Sequence, residues 1–346
     1  MKVDYIVVGL GLAGLAFVEE LIQANKTFLV FEDDSQTSSL VAGGVYNPVV
    51  LKKFTAVWKA SEQLNLAMLF YEKLEKKLNQ KFDKKFVIKR VFKSVEEQKK
   101  WSTASDNSLL KQFLNPDIEI NKITGIIGDY GFGNVNQTGR IDTLKLVKSY
   151  RKLLIDNNLI RFDKFEHQKL NISLENVTYK DVVCNNVVFC EGFGIKENPF
   201  FNYLPLEEVK GELLIIHAPK LNIDFLLKSS LFLIPLGDNN YKVGATFNHS
   251  DKTLTPTENG KSELIEKLKK VINVPYKIIE QSAGIRPTTN DRRPFVGVHS
   301  QYTRLAVLNG LGTRGVMVAP SMAKNLFNLL DKGEDLDVEI DIKRFN

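Results

Sequence analysis

The sequence is poor in cysteine and histidine, and this scarcity excludes several classes of protein. Two cysteines, Cys184 and Cys190, and four histidines occur among 346 residues. The cysteine spacing matches no zinc-ligand pair, and the chain is too long for a domain held together mainly by disulfides. The histidines are widely dispersed. We therefore expect no metal site, and we expect a reducing, cytoplasmic environment.

The apolar run near the N-terminus, residues 5–18, is too short to span a bilayer. Charged residues flank it on both sides, and no small-residue cleavage site follows it. It therefore lacks the pattern of a secretory signal, and we expect no membrane partner.

Neither sign of charge dominates the sequence. The 47 lysines and arginines exceed the 41 acidic residues by six, and the excess is scattered rather than gathered in one block. A nucleic-acid partner is therefore neither demanded nor excluded. At 43% apolar content the chain can bury a sizeable core, and its length suggests two domains or one large interleaved fold.

A glycine-rich turn near the N-terminus lies between a predicted strand, residues 4–8, and a predicted helix. It contains Gly9, Gly11 and Gly14, and a second apolar run ends in Glu32. The unit measures about 30 residues, as in dinucleotide-binding folds. The glycines let the backbone approach a pyrophosphate at the helix N-terminus, and Glu32 would accept a hydrogen bond from a ribose hydroxyl. This pattern predicts a bound dinucleotide, and the carboxylate argues against NADP.

A second glycine turn, residues 309–315, lies near the C-terminus between a predicted strand and a predicted helix over 316–330. Pro320 falls inside that helix, so either the first turn is irregular or the regular helix begins near the proline. If both glycine turns bind one ligand, that ligand is elongated. FAD fits this description better than NAD. The alternative is two unrelated structural turns.

Several further segments resemble the D-amino-acid oxidase and glycine oxidase superfamily of FAD-dependent oxidoreductases. Together with the first glycine turn they follow the family's order along the whole chain. They are residues 42–48, 187–192, 234–246, 283–291 and 310–320. The segment 187–192 is similar to the family's strand-then-glycine segment beside the flavin diphosphate.

The resemblance implies an α/β chain, α+β overall, in which a Rossmann-like FAD-binding domain is interleaved with a mixed-sheet substrate domain. The expected FAD-binding domain comprises 1–50, 140–200 and 285–346, and the expected substrate domain comprises 51–139 and 201–284. The apolar patterns independently predict helices over 64–78 and 263–272, strands over 86–92 and 213–217, and a hairpin of 231–235 with 242–246.

By the same resemblance the cofactor is non-covalently bound FAD. Cys190 is expected to be a buried strand residue rather than an attachment point for the flavin. The residues expected to contact FAD are Gly9, Gly11, Leu12, Ala13, Gly14, Glu32, Asp33, Gly43, Gly44, Val45, Gly192, Gly312, Thr313, Arg314, Gly315, Val316 and Met317.

The family's chemistry is removal of a hydride from the carbon beside an amine, so the protein has mainly to position the substrate. Arg286 matches the family arginine that binds the substrate carboxylate, and the planar fork of guanidinium suits that task. The alternative is a solvated loop arginine. Phe232 occupies the position of a tyrosine in glycine oxidases, and this departure argues against free glycine as the substrate.

Three further basic residues have roles that the sequence leaves open. Arg314 directly precedes Gly315, in a pattern similar to the flavin domain of the bifunctional bacterial tRNA wobble-uridine modifying enzyme. Arg314 would face flavin or substrate, or form a structural ion pair. Lys52 and Lys53 are candidates for a positive charge near the flavin that favours oxygen reactivity, with ordinary solvated lysines as the alternative.

These observations predict an FAD-dependent oxidase or dehydrogenase that acts on the C–N bond of a small carboxylate-bearing amine or amino acid. Two alternatives remain. One is flavin-dependent processing of a modified tRNA wobble uridine, and the other is flavin binding without catalysis.

Overall fold

The computed structural model describes residues 1–345, which fold around two large β-sheets. The α-helices are α1 Leu12–Gln23, α2 Ser38–Val41, α3 Ala60–Leu78, α4 Val95–Ser105, α5 Thr143–Asp156, α6 Glu258–Lys269 and α7 Gly315–Lys332. The strands are β1 Lys2–Val8, β2 Phe28–Glu32, β3 Val45–Tyr46, β4 Val49–Val50, β5 Thr55–Ala56, β6 Asp83–Lys85, β7 Ile88–Val91, β8 Leu114–Glu119, β9 Phe132–Val135, β10 Gly139–Ile141, β11 Ile160–Phe162, β12 Leu170–Ile172, β13 Val177–Tyr179, β14 Val182–Phe189, β15 Leu206–His217, β16 Leu226–Lys228, β17 Phe232–Gly237, β18 Asn240–Gly244, β19 Lys277–Thr289, β20 Phe295–Val298 and β21 Leu305–Asn309.

The first sheet has the order β11-β2-β1-β14-β13-β12, and β21, with β20 beside it, also pairs with β14. Strands β2, β1, β14 and β21 run parallel. Successive residues of β1 enter two different cores: Tyr5 and Val7 pack on the side of α1 and α7, and Ile6 and Val8 pack on the opposite side. Burial on both faces explains the nearly continuous apolar run. The carboxyl ends of the parallel strands meet at one edge of the sheet.

The second sheet has the order β19-β15-β18-β17-β16-β7-β9-β8 and is antiparallel except where β16 meets β7. Its strands alternate between two faces, as the period of a strand requires. Leu214, Leu233 and Val243 pack with α6 in a core. Leu213 and Phe232 lie on the other face, which borders a cavity. One face of this sheet is therefore free to form part of a binding site.

The predicted elements are present with shifted ends. The helices predicted over 64–78 and 263–272 correspond to α3 and α6, and the predicted hairpin is β17 with β18. The strand predicted over 213–217 is the end of the much longer β15.

Pro320 interrupts neither the start nor the course of α7, so of the two alternatives the regular helix that begins near the proline is wrong. The helix begins at Gly315, and the irregular turn, 312–314, precedes it as a 3-10 helix. Proline has no N–H to donate to the carbonyl four residues earlier. That carbonyl, on Val316, accepts a hydrogen bond of 2.9 Å from the hydroxyl of Tyr71 on α3. A side chain thus satisfies the group that the proline leaves free.

The two sheets confirm the predicted fold class, a Rossmann-like parallel unit combined with a mixed sheet. The domain boundaries given above stay a prediction. Within residues 1–345, every helix is either too short or too polar to cross a membrane.

Candidate functional site

The main cavity of the molecule has a volume of about 760 Å³. Val8, Glu32 and Asn309 from the first sheet and Leu213 and Phe232 from the second contribute to its wall. The cavity therefore lies between the carboxyl edge of the parallel strands and the free face of the mixed sheet. Its volume falls in the range of sites for small molecules and cofactors.

The first glycine turn is built for close approach of the backbone. Gly9 has a φ of +92°, and a Cβ there would lie 2.6 Å from the carbonyl oxygen of Cys190. Gly11 is the N-cap of α1 and has no side chain to accept a hydrogen bond, and the hydroxyl of Ser39 accepts one of 3.1 Å from the backbone N–H of Leu12. Leu12 and Ala13, in the first turn of α1, line the cavity. Backbone amides at the positive end of the helix dipole therefore border the cavity.

Glu32 lies at the end of β2 with a buried side chain. Its Oε2 accepts a hydrogen bond of 2.5 Å from the backbone N–H of Leu10, and its Oε1 accepts one of 2.9 Å from Asp34. A guanidinium nitrogen of Arg151 lies 3.4 Å from Oε1. The carboxylate thus holds the glycine turn against β2 while it lines the cavity.

A second helix N-terminus borders the same cavity. The 3-10 turn Gly312–Arg314 leads into α7, whose first residues lack a side-chain cap. Thr313, Gly315, Val316 and Met317 line the cavity. The two glycine turns, far apart in the sequence, therefore serve one space.

Arg286, on β19, lies on the cavity wall with its guanidinium largely withdrawn from water. Two of its nitrogens donate to the carbonyl oxygen of Thr246 at 3.3 and 3.2 Å, and its guanidinium carbon lies 4.5 Å from the ring centroid of Phe247. Burial lowers its pKa to about 10, so the group is charged at neutral pH. Among residues 1–345, no carboxylate lies within 4.0 Å of it. The charge is free to bind an anion in the cavity.

The loop that carries Thr246 and Phe247 is fixed by two buried charges of β15. Lys210 contacts Asp251 at 2.5 Å, and Glu212 accepts hydrogen bonds of 2.8 and 2.7 Å from the backbone and the hydroxyl of Thr257. Both side chains are almost fully buried. They anchor the loop, so the partners of Arg286 are held in place from beneath the sheet.

The structure places the other predicted basic residues in different surroundings. Arg314 lines the cavity, and burial lowers its pKa to about 10, with a smaller contribution from Arg292. The ion-pair alternative for Arg314 finds no partner within 4.0 Å in the described chain. Lys52 lines the main cavity, whereas Lys53 lines a different, shallow depression.

These features suit a single elongated ligand with a phosphate-bearing end. Two helix N-termini border one cavity, and Cβ atoms at Gly9 or Gly11 would lie 2.6 and 3.0 Å from neighbouring atoms. In the part of the chain that the structure describes, no group of three His, Cys, Asp or Glu side chains could hold a metal ion.

Comparison with known protein families decides the assignment. The model for "DAO: FAD dependent oxidoreductase" matches residues 4–329. The chain belongs to this family of FAD-dependent oxidoreductases. FAD is therefore the cofactor, as the two glycine turns predicted.

Curated relatives of this FAD-dependent oxidoreductase have two different names. Glycine oxidase of Bacillus subtilis is 29% identical over 161 residues, which are 43% of this chain and 42% of that protein. The tRNA 5-methylaminomethyl-2-thiouridine biosynthesis bifunctional protein MnmC of Idiomarina loihiensis is 28% identical over 129 residues, 36% of this chain and 21% of that protein. Both matches span less than half of the relative's length.

Solved structures share the fold over almost the whole chain. Iminodiacetate oxidase from Chelativorans sp. BNC1 has a TM-score of 0.80 at 16% identity and covers 99% of this chain and 98% of its own. Glycine oxidase from Bacillus cereus has a TM-score of 0.78 at 17% identity, with 96% of each chain covered. At these identities the likeness shows the fold of the FAD-dependent oxidoreductase alone.

All the residues predicted to contact FAD line the cavity except Gly14. Gly14 packs behind the turn instead, where a Cβ would overlap the carbonyl oxygen of Gly9. In this family member the two helix N-termini and Glu32 would hold the dinucleotide. Burial raises the pKa of Cys190, which keeps the thiol neutral and supports non-covalent binding.

A hydrogen-bonded pair of side chains on the cavity wall was not predicted. The Nε2 atom of His167 lies 2.8 Å from Oε1 of Glu191, whose Oε2 accepts a hydrogen bond of 2.7 Å from Asn198. Both members of the pair line the cavity. Glu191 lies directly before Gly192, a predicted FAD contact, and this position is the sequence signal for it. No sequence pattern marks His167. Lys228, another cavity residue, was also missed.

Proposed function

We propose that this FAD-dependent oxidoreductase oxidises a small amine that carries a carboxylate. The observation that carries the proposal is Arg286, a charged and poorly solvated guanidinium on the cavity wall without a carboxylate partner among residues 1–345. A planar guanidinium can donate two parallel hydrogen bonds to a carboxylate. Such a contact fixes the orientation of the amine relative to the cofactor.

FAD, when bound, would supply the acceptor for a hydride from the carbon beside the amine nitrogen. The remaining work falls to residues of this chain. Arg286 would hold the carboxylate, Thr246 and Phe247 would hold Arg286, and Phe232 would supply an apolar surface that keeps water from the reacting carbon. The imine that leaves then reacts with water to give a carbonyl compound and a free amine.

Phe232 favours a substrate other than free glycine. It lies on the cavity wall and has no hydroxyl to donate to a substrate. An amine with apolar or extended substituents gains more from an aromatic wall than glycine does. The names of the relatives, glycine oxidase and iminodiacetate oxidase, support an amine that carries a carboxylate as the substrate class. The two free, buried cysteines support a cytoplasmic location.

The decisive experiment is anaerobic addition of a panel of amines to the yellow holoenzyme. We expect bleaching of the flavin absorbance by one class among amino acids, N-methyl amino acids and carboxymethyl-amines. Amines without a carboxylate are the control, and we expect them to leave the absorbance unchanged. A holoenzyme that no member of the panel reduces would contradict the proposal and favour flavin binding without catalysis.

A Gly211→Ala substitution tests the position of the Arg286 guanidinium without removing the side chain. A Cβ at this position on β15 would overlap the guanidinium of Arg286, which lies directly over the glycine. We expect the KM for the carboxylate-bearing amine to rise by about tenfold, because the guanidinium is pushed from its place. The FAD content should stay at one per chain, since neither Gly211 nor Arg286 is among the residues expected to contact FAD. An unchanged KM would contradict the assigned position of the guanidinium.

A second candidate is the processing of a carboxymethylated tRNA wobble base. The similarity to MnmC and the position of Arg314 directly before Gly315 favour it. The same hydride removal would then act on an amine attached to a nucleotide. We expect this candidate to require tRNA binding that weakens as salt increases, measured by filter binding at two ionic strengths. The absence of salt-sensitive tRNA binding would eliminate it.

A further inference from the structure

Lys228 places a second positive charge on the substrate face of the mixed sheet. It ends β16, directly opposite Phe232 of β17, and both side chains line the cavity. Its Nζ lies 4.9 Å from the ring centroid of Phe232 and donates a hydrogen bond of 2.7 Å to the carbonyl oxygen of Ser229. Two hydrogens of the ammonium group remain for other acceptors.

The surroundings of Lys228 do not neutralise its charge. Within residues 1–345, no carboxylate oxygen lies within 4.0 Å of Nζ, and the charged groups that act on it, Arg90, Lys93 and Lys267, are all cations. Burial, with these repulsions, lowers its pKa to about 8. Lys210, a more deeply buried lysine of the same sheet, shows the contrast, because it contacts Asp251 at 2.5 Å. Lys228 is half-buried on the cavity wall and has no carboxylate partner, so its charge is available to an anionic ligand.

The register of the sheet places Lys228 and Arg286 on the same wall of the cavity. The guanidinium of Arg286 lies over Gly211 on β15, and the ammonium of Lys228 lies beside Phe232 on β17, with β18 between the two strands. Phe232 is level with Gly244 and Leu213, two residues along β15 from Gly211. Two strand spacings and two residues separate the backbone of Gly211 from that of Phe232 by about 12 Å.

We propose that Lys228 binds a second anionic group of the substrate, so that this enzyme prefers small amines with two carboxylates. This inference rests on the proposed function, because Arg286 has to hold the first carboxylate. Because both cations line one cavity, an amine with one carboxylate on each side of the nitrogen, or at the two ends of a short chain, would present one carboxylate to each. Phe232, between the cations, contacts the carbon atoms of such a substrate.

The test uses two ligands that cannot be oxidised at a C–N bond, methylthioacetate with one carboxylate and thiodiacetate with two. Each is titrated into the oxidised holoenzyme, and the change in flavin absorbance gives its Kd. We expect thiodiacetate to bind at least about tenfold more tightly, as a second charged hydrogen bond implies. In Lys228→Met we expect the ratio of the two Kd values to approach one, with the Kd of methylthioacetate nearly unchanged.

Two controls separate the inference from the function on which it rests. Lys53→Met removes a positive charge outside the main cavity, and we expect it to keep the preference for thiodiacetate. Arg286→Met should weaken both ligands. If Arg286→Met affects neither ligand, the proposed function fails. A different outcome overturns the second anion site and leaves the proposed function standing. In that outcome Arg286→Met weakens both ligands, but the wild-type enzyme shows no preference for thiodiacetate, or Lys228→Met keeps the preference.

The pH dependence gives an independent readout. A lysine whose pKa is about 8 loses its charge as the pH rises above that value. We therefore expect the preference for thiodiacetate to decrease above pH 8 in the wild-type enzyme, while the binding of methylthioacetate stays level until Arg286 titrates. A preference that stays constant to pH 9.5 would contradict the assignment to Lys228.

Discussion

Replacing Arg286 with methionine is expected to weaken the binding of a carboxylate-bearing amine by about thirtyfold or more, a loss of about 2 kcal/mol. Methionine keeps the length of the side chain and removes its five N–H donors and its charge. The measurement is the Kd from anaerobic titration of the flavin absorbance, together with the limiting rate of flavin reduction. The Kd should change more than the rate, because the arginine binds the carboxylate and exchanges neither a proton nor a hydride with the substrate.

Two controls make this result specific. Arg286→Lys keeps the charge and loses the planar fork, so we expect a Kd between those of the wild type and Arg286→Met. The carbonyl of Thr246 and the ring of Phe247 lose their cationic partner in Arg286→Met, so the thermal midpoint has to be measured as well. A folded Arg286→Met protein with the wild-type Kd would show that the carboxylate binds elsewhere in the cavity.

Gly14→Ala is expected to give a folded protein that no longer retains FAD. A Cβ at this position would overlap the carbonyl oxygen of Gly9, so the turn that approaches the pyrophosphate has to move. Helix propensity alone predicts that Gly14→Ala stabilises α1, because alanine is favoured over glycine by about 1 kcal/mol in a helix. The measurement is the ratio of flavin to protein absorbance after purification, followed by titration with free FAD.

Ala16→Gly, two residues later in α1, is the matched control. Ala16 is buried but does not line the cavity, so this change lowers the stability of the helix and leaves the glycine turn unaltered. We expect both variants to be less stable than the wild type, Ala16→Gly with normal FAD content and Gly14→Ala without FAD. If Gly14→Ala binds FAD as tightly as the wild type, the contact between the turn and α1 is not needed for the cofactor site.

The candidate site divides into parts that the sequence revealed and parts that it concealed. The cofactor end could be predicted, since Gly9, Gly11 and Glu32 lie close together in the chain and their spacing reflects local geometry. Both glycine turns border the cavity as expected. The substrate end could be predicted only at Arg286 and Phe232, whose flanking segments resemble those of the D-amino-acid oxidase and glycine oxidase superfamily. Lys228 has no such flanking pattern, and its position depends on the pairing of β16 with β17.

Pro320 shows how a local rule can mislead. Proline removes one hydrogen bond from a helix, and the rule that it ends or kinks the helix follows from that loss. Helix α7 nevertheless continues through Pro320. The compensating donor, the hydroxyl of Tyr71, comes from a helix about 250 residues away in the sequence. Sequence spacing gives no indication of such a distant contact.

The sequence by itself indicated an elongated dinucleotide through its two glycine turns, because such turns are set by interactions between near neighbours in the chain. It indicated the fold class and the family through segments that resemble those of a known family. Only the tertiary structure decided which charges lie in the cavity without a partner. Lys210, which is buried, and Lys228, which is half-buried, belong to one sheet, but Asp251 contacts the first and no carboxylate of the described chain lies within 4.0 Å of the second. Burial and pairing depend on contacts between distant segments, and those contacts distinguish a structural charge from one available to a substrate.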